Sequence, residues 1–431
     1  MKELIKKIIV WKLGIMAKMY LMRYKPQIVA VTGNVGKTST KEAIAVVFSR
    51  IKRVRSGKGN LNNEFGVPLT ILGNWSDDYY EAGNTFWFWF RVLFVSFFGL
   101  LFQRNYPEIL VLEFGADKPG DIKKLSKKYK PHIGVVTAVG EVPVHVEYFS
   151  GPEGVAKEKG RLVEALSVSD FAVLNGDDLA VLEMKERTKA RVFTYGFGEG
   201  AMVRVSNLET WLENGIPEGV SFKMNHSESF VPFRISGSLG KSQGYAAAAA
   251  AAIGVIFGMN LVDISEALSG YSGPKGRLKI LKGIKNSIII DDTYNASPLS
   301  THLALETLRD LPGRHIVVLG DMLELGKYSI QAHQEIGNMA GSFVDLLICV
   351  GSKAKFISDS AFNQMPKENI YRFDVSDEAK LKVKELIKEG DIVLVKGSQG
   401  IRMEKIVEEI MAEPENKKDL LVRQGKKWLV K

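Results

Sequence analysis

Thr32-Gly-Asn-Val-Gly-Lys-Thr38 gathers the residue types that phosphate chemistry needs. Glycines let backbone N–H groups close around phosphate oxygens, a lysine reaches the β- and γ-phosphates, and a hydroxyl ligates Mg²⁺. Gly33, Asn34, Val35, Gly36, Lys37, Thr38 and Ser39 are therefore candidate contacts to ATP. The common form of this motif has glycine five residues before the Gly-Lys pair, where Val31 stands here. Further along, Ile109-Leu-Val-Leu-Glu-Phe-Gly-Ala116 carries Glu113 out of an apolar run into a glycine turn. A carboxylate in such a place is costly without a cation, so Glu113 is a candidate Mg²⁺ ligand. His145 follows another strand tip and reads equally well as a ligand or as a structural histidine. Asn62 and Asn63, in the loop 59–68, present amides to a substrate or simply make a turn.

These groups need a scaffold. The β-branched run Ile28 to Val31 reads as a strand and Lys41 to Phe48 as the helix after the loop, the context that gives the phosphate motif its meaning. Residues 109–116 and 133–139 read as further strands, 154–166 as a helix with solvated lysines, and 191–236 as alternating strands. Tyr245 to Ile256, with seven consecutive alanines, reads as a tightly packed helix. Beyond the glycine-rich stretch 270–276, apolar runs at 287–292, 315–320, 346–351 and 391–396 alternate with helical segments and imply a second parallel α/β unit.

The length of 431 residues suits two or three domains, and 45% hydrophobic with 25% charged is ordinary globular composition. The lone Cys349 excludes an intramolecular disulfide and fits a reducing compartment, the cytoplasm. Of the net charge of +9, residues 1–25 hold seven bases against Glu3. The rest of the chain is nearly balanced and lacks interleaved bases and aromatics, so no nucleic-acid partner is expected.

In that first segment Leu4, Ile8, Trp11, Ile15, Met19 and Met22 form an apolar helical stripe among lysines. Such a helix lies on an anionic membrane surface or packs on its own domain. Phe86 to Phe102 holds nine aromatics and only Arg91 as a charge. As a helix it is about 25 Å long, short of the roughly 30 Å hydrocarbon core. A single crossing would also strand Glu113 and the phosphate loop on opposite faces. The segment therefore dips into the interface, lies flat or is buried, and aromatic richness favours the interface. Segments 1–25 and 84–104 are the expected peripheral membrane contacts.

Taken in order, the motifs resemble the Mur ligase family. The resemblance rests on Thr32 to Thr38, Asn60-Leu-Asn-Asn-Glu-Phe-Gly-Val-Pro-Leu-Thr70, Glu113-Phe-Gly-Ala116, His145-Val-Glu-Tyr-Phe149, Glu158-Lys-Gly160, Lys275-Gly-Arg277, Asp291-Asp-Thr-Tyr-Asn-Ala-Ser-Pro298, Leu319 to Gly326 with His333, and Val395-Lys-Gly-Ser398. It implies an α/β fold, with a P-loop central ATPase domain at 26–272 and a C-terminal Rossmann-like domain at 273–431, preceded by the basic helix 1–25. It also implies an ATP-dependent amide ligase of the branch that couples D-Ala-D-Ala to a muramoyl peptide in cell-wall precursor synthesis.

The family's site residues carry over as follows. Lys37 and Mg²⁺ offset phosphoryl charge. Thr38 and Glu113 hold one metal, and His145 helps hold a second. Lys159 falls where the family carries a carbamylated lysine that bridges metals, which reverses its reading as a solvated side chain. Arg277 reaches the γ-phosphate, Asp292 the ribose and Asn295 the nucleotide, while Lys396 and Ser398 are candidates for holding the incoming amine.

Two departures bear on substrate. Gly240-Lys-Ser-Gln-Gly-Tyr245 stands where the family's central helix opens with a His-Asn pair, so Gln243 takes the asparagine's place. The ligases the chain resembles carry an N-terminal domain that binds the UDP-muramoyl group, whereas only about 25 residues precede the ATP loop here, so the uridine pocket is expected to be missing. Either a protein partner supplies that contact or the acceptor is not a UDP-sugar, and a membrane-associated or otherwise noncanonical peptide is the expected acceptor. Rival readings are a folylpolyglutamate- or cyanophycin-like ligase, the synthetase subunit of an amidotransferase, and a non-catalytic ATP-binding membrane scaffold.

Overall fold

The computed structural model describes residues 2–82, 85–425 and 428. Residue 84 of the expected insertion and Met1 of the first helix lie outside them. Five strands run parallel at the heart of the first sheet: β1 (Gln27–Thr32), β2 (Val54–Ser56), β3 (Ile109–Glu113), β4 (Ile133–Val136) and β5 (Phe171–Asn175). With β6 (Arg191–Gly196), β7 (Val203–Glu213), β8 (Ile216–His226) and β9 (Ser229–Ser236) they make nine strands in the order β2-β3-β1-β4-β5-β6-β7-β8-β9. The order turns about β1, which pairs with β3 on one side and β4 on the other. The crevice beyond its C-terminal end is where open α/β sheets gather ligand groups. β1, β3 and β4 read as unbroken apolar runs because helices cover both faces. From β7 onward the sheet turns antiparallel and becomes a meander.

Helix α1 (Lys2–Tyr24) feeds β1 directly, and α2 (Lys37–Ser49) leaves the phosphate loop. Between β2 and β3 come α3 (Gly66–Leu72), α4 (Ser76–Ala82) and α5 (Phe86–Phe102). The Thr85 hydroxyl caps α5 by accepting from the Phe88 N–H. Then α6 (Asp121–Tyr129) and α7 (Pro152–Glu164) cover the sheet, with the short α8 (Leu179–Leu182) after β5. The alanine run forms α9 (Lys241–Ile256), whose Ala246 to Ala252 are all buried. Alanine allows this close packing because it adds little side-chain volume at high helix propensity. Gly244 is needed there, since a Cβ on it would meet the Phe197 ring at 2.8 Å.

The second sheet holds β10 (Lys279–Lys282), β11 (Ile288–Asp292), β12 (His315–Gly320), β13 (Leu346–Val350), β14 (Ile370–Phe373) and β15 (Ile392–Lys396) in the order β10-β11-β15-β12-β13-β14. Five strands are parallel, the Rossmann-like arrangement expected. The edge strand β10 runs antiparallel to β11, and the sequence reading had no strand there. One continuous apolar core joins Val29 and Val31 of the first sheet to Ile290, Val317 and Leu394 of the second. The two sheets are therefore coupled by buried packing as well as by the chain between them.

Helix α5 is neither buried nor fully exposed. Phe88, Trp89, Val92, Ser96 and Leu100 pack inward, while Phe90, Phe94, Phe97 and Phe98 face out. Among the described residues no helix is long and apolar enough to cross a membrane.

Candidate active site

The phosphate loop is set by two glycines at positive φ, Gly33 at 137° and Gly36 at 90°. A Cβ at Gly33 would lie 2.0 Å from the Thr137 hydroxyl, so neither conformation nor space admits another residue. Gly36 caps α2 without a side-chain acceptor, which leaves the first helical N–H groups to an anion. The Asn34 and Val35 amides both donate to the Ala138 carbonyl, at 2.7 and 3.1 Å, and the Asn34 side-chain amide donates to the Val144 carbonyl. The loop is thereby tied to the segment carrying His145.

Lys37 folds back over this loop and donates to the Gly33 and Asn34 carbonyls at 2.9 and 3.1 Å. Desolvation lowers its pKa, against the pull of Glu113, and the Arg277 guanidinium lowers it further. Thr38 donates its hydroxyl to Glu113 at 3.1 Å, and the Asn62 amide donates to the other carboxylate oxygen, also at 3.1 Å. Glu113 is buried at the tip of β3. Lys41, one helical turn beyond Lys37, is buried as well, 3.8 Å from Glu113, and donates to the carbonyls of Gly57 and Gly59.

Lys159 sits on α7 and is only 2% exposed, contrary to its composition-only reading as a solvated side chain. Burial first, and then the Lys37 ammonium, push its pKa from 10.5 down to about 7. Its neighbour Glu158 is occupied elsewhere, accepting from the Gly120 and Ile122 amides and so fixing the start of α6. His145, at a positive φ of 68°, places Nδ1 2.6 Å from Glu324 of the second sheet's loop. Arg277 lies over the Tyr294 ring at 4.1 Å. Gln243 donates to the Arg277 backbone carbonyl at 3.3 Å, so it holds the arginine's main chain.

The other expected site residues are engaged within the fold. Asn63 accepts from the Phe65 and Gly66 amides at the entry to α3. Asp292 accepts from the Leu278 amide and pairs with Lys396 at 2.5 Å, and Lys396 also donates to the Asn295 carbonyl. Ser398 accepts from the Leu323 amide, and Asn295 accepts from the Gln399 amide at 3.4 Å. Sequence reasoning missed Lys41, Glu324 and Arg423. Arg423 donates to the Thr293 and Tyr294 carbonyls and pairs with Glu404, so the chain's last described segment holds the loop facing Arg277. Lys41 had a signal, its i,i+4 spacing from Lys37 on one helix face. Asp117 is a fourth, four residues beyond Glu113, and its charge acts on both Lys37 and Lys159.

Among the described residues no three His, Cys, Asp or Glu side chains converge as a self-sufficient metal cage. Thr38 and Glu113 nevertheless fit Mg²⁺, which takes one or two protein oxygens and completes its shell with phosphate and water.

Fold and site together define a two-sheet α/β protein with a phosphate loop at the head of α2. Residues 97–254 match the Mur ligase middle domain, and residues 276–399 match the Mur ligase glutamate ligase domain. The UDP-N-acetylmuramoyl-tripeptide–D-alanyl-D-alanine ligase of Bacillus subtilis is 30% identical over 404 residues, 93% of this chain and 79% of that protein. The MurF ligase of Thermotoga maritima, solved in complex with ADP, superposes with a TM-score of 0.76 at 25% identity, covering 95% of this chain and 84% of that one. A MurF structure from Acinetobacter baumannii gives 0.74 at 25% identity, covering 92% and 79%. The chain belongs to the Mur ligase family.

Proposed function

We propose that this enzyme activates a peptide carboxylate as an acyl phosphate and couples it to an amino acid or dipeptide such as D-Ala-D-Ala, in peptidoglycan precursor synthesis on the cytoplasmic side. The observation that carries the reading is the set around Glu113, where one buried carboxylate faces the Thr38 hydroxyl and the Asn62 amide, with Lys37 and Lys159 electrostatically coupled beside it. The substrate's carboxylate oxygen attacks the γ-phosphorus and ADP leaves; the substrate amine then attacks the acyl carbon, losing a proton as phosphate departs. Mg²⁺, when bound, offsets charge on the transferring phosphoryl group. Thr38 and Glu113 would hold it.

Gly33 to Ser39 cradle the phosphates through backbone N–H groups, and Lys37 swings from its loop carbonyls onto phosphate oxygens. Arg277 adds positive charge from the second sheet, its main chain held by Gln243 and its ring partner Tyr294 by Arg423. His145, whose Nδ1 is engaged by Glu324, would help hold a second metal. Lys159 is poised for carbamylation. That reaction needs the neutral amine, whose lone pair bonds to the carbon of CO₂ with loss of a proton, and a pKa near 7 supplies it at neutral pH. Asp292 would meet the nucleotide's ribose, and Asn295 would lie near the nucleotide.

The test is substrate-dependent phosphate release from ATP and Mg²⁺ by the full chain, offered UDP-muramoyl-tripeptide with D-Ala-D-Ala, with Lys159→Ala as control. Release that needs both substrates and is lost in the variant is expected. ATP binding without any substrate-dependent release would overturn the ligase reading in favour of a scaffold.

A further inference from the structure

Helix α1 has two apolar faces and packs only one of them. Leu13, Ala17 and Tyr20 are buried against the sheet domain, whereas Leu4, Ile8, Trp11, Ile15, Met19 and Met22 point outward, Trp11 at 64% exposure. Helix α5 lies beside it. Tyr20 donates to the Ser96 carbonyl, and Tyr24, one turn on, donates to those of Gly99 and Gln103, so the two helices run in the same direction. A Cβ at Gly99 would meet the Tyr20 hydroxyl at 2.4 Å, so this close approach needs glycine.

The outward face of α5 is a ladder of five phenylalanines. Phe86, Phe90, Phe94, Phe98 and Phe102 contact one another in sequence, with ring centroids 6.5, 5.8, 4.8 and 6.3 Å apart, and every one is exposed. Soluble monomers rarely leave a contiguous apolar surface of this kind uncovered. The ladder spans about 25 Å along the helix.

Charge identifies what covers it. No acidic residue occurs between Glu3 and Glu42 or between Glu81 and Glu108, while Lys6, Lys7, Lys12, Lys18, Arg23 and Lys25 stud α1 and its exit. Helix α6 extends the basic rim, because Lys128 lies against Gly14 of α1 and its neighbours Lys123, Lys124 and Lys127 are exposed. At the far end of the helix pair a cleft of about 460 Å³ is lined by Lys25, Lys52, Arg53 and Arg104, with Glu108 as its acid. The acids beside the face, Glu64 and Asp78, are paired with Lys6 and Arg91, so a second copy of this chain would bring two net-basic rims together. An anionic bilayer meets both demands, taking aromatic side chains at the headgroup level and attracting lysines around them.

We propose that the joined outward faces of α1 and α5 dock the enzyme on an anionic membrane surface, without crossing it. The inference stands on this face alone and goes beyond the catalytic reading. Docking would also orient the site. Lys6 near the start of α1 pairs with Glu64 at 3.7 Å, and Phe65 packs on Trp89 of α5, so the edge of the face adjoins the loop whose Asn62 holds Glu113.

The experiment is flotation of the full chain with protein-free vesicles of phosphatidylcholine, with and without about 30 mol % phosphatidylglycerol, at low and high salt. Two variants accompany it, Phe90→Ser/Phe94→Ser/Phe98→Ser and Lys7→Glu/Lys12→Glu/Lys18→Glu, each checked for an unchanged unfolding midpoint. The wild type should float with anionic vesicles, and each triple variant should bind them at least about tenfold more weakly, the charge variant mainly at low salt. Absence of flotation from a folded wild type overturns the proposal. So does a dimer that the phenylalanine variant abolishes without any vesicle binding, or capture only by membranes that retain their proteins. Ligase activity is not the readout, so failure here leaves the catalytic reading untouched.

Discussion

His145 and Glu324 meet at 2.6 Å between the loops of the two sheets, and both hold positive φ, 68° and 64°. Non-glycine residues in that region each cost about 1 kcal/mol or more and persist where the surroundings hold them. Gly326, two residues on, lies so close to Glu147 that a Cβ would come within 3.0 Å of that side chain's own. The contact ties a loop of the second sheet to the segment that also holds Asn34 of the phosphate loop, so it can act as a latch between them.

Glu324→Ala should loosen the latch. The open population rises, the radius of gyration from small-angle scattering increases in the nucleotide-free protein, and kcat falls while the unfolding midpoint moves little. The His145 hydrogen bond holds the Glu324 carboxyl below its ordinary range. Its contribution is therefore complete above the unfolded value of about 4.3 and is lost only as pH falls through the depressed folded value. Closure in the wild type should survive to pH 5, and an identical scattering profile for wild type and variant would remove the latch.

Lys159 predicts opposite effects on stability and activity. Its folded pKa of about 7 lies below the ordinary 10.5, so between those values the unfolded chain binds the extra proton and stability rises with pH. Below about pH 7 the buried ammonium is a standing penalty. Lys159→Met should raise the unfolding midpoint in CO₂-free buffer at pH 7, by roughly 2–5 °C, and abolish ligase turnover. ¹³C-bicarbonate should give a carbamate resonance in the wild type that the variant lacks. A variant of lower midpoint would show that the lysine is satisfied in the fold.

The fold was legible where pattern and punctuation agreed. Helix α5 begins and ends as the sequence indicates because an apolar run is bounded by the capping Thr85 and the polar Gln103. The phosphate loop was legible because glycine spacing dictates its backbone. Strand β10 was not, since Lys279-Ile-Leu-Lys282 is too short and too charged to stand out, and its partner makes it a strand. The stripe on α1 was legible as apolar but not as outward-facing, because Leu13, Ala17 and Tyr20 supply a second apolar face that does the packing. Asn63 and Lys396 present the same difficulty. Side chains that look free in sequence are engaged by a local cap and by a carboxylate 104 residues away, and pairing at that range leaves no periodic trace.

Glu113 is the residue on which metal binding should depend. Glu113→Gln keeps the size and the hydrogen bonds with Thr38 and Asn62 within reach, and Lys41 retains the Gly57 and Gly59 carbonyls. The variant should therefore fold. Turnover should fall by about 100-fold or more, and the Mg²⁺ concentration for half-maximal activity should rise. A variant with the wild-type Mg²⁺ response would move the metal away from this carboxylate.

The Asp292–Lys396 pair lies on adjoining strands β11 and β15, almost wholly removed from solvent, and the two side chains depend on each other. Burial lowers the lysine's pKa, against the pull of Asp292, so the carboxylate is what keeps a charged ammonium there. Asp292→Asn strands that charge and should cost about 3–5 kcal/mol in urea unfolding. Lys396→Met in the same chain should recover much of the loss, because the double replacement leaves no unpaired charge. If Asp292 also meets the ribose, the double variant, restored in stability, should still bind ATP more weakly than the wild type in calorimetric titration. Wild-type affinity in that stable double variant would confine the pair to a structural role.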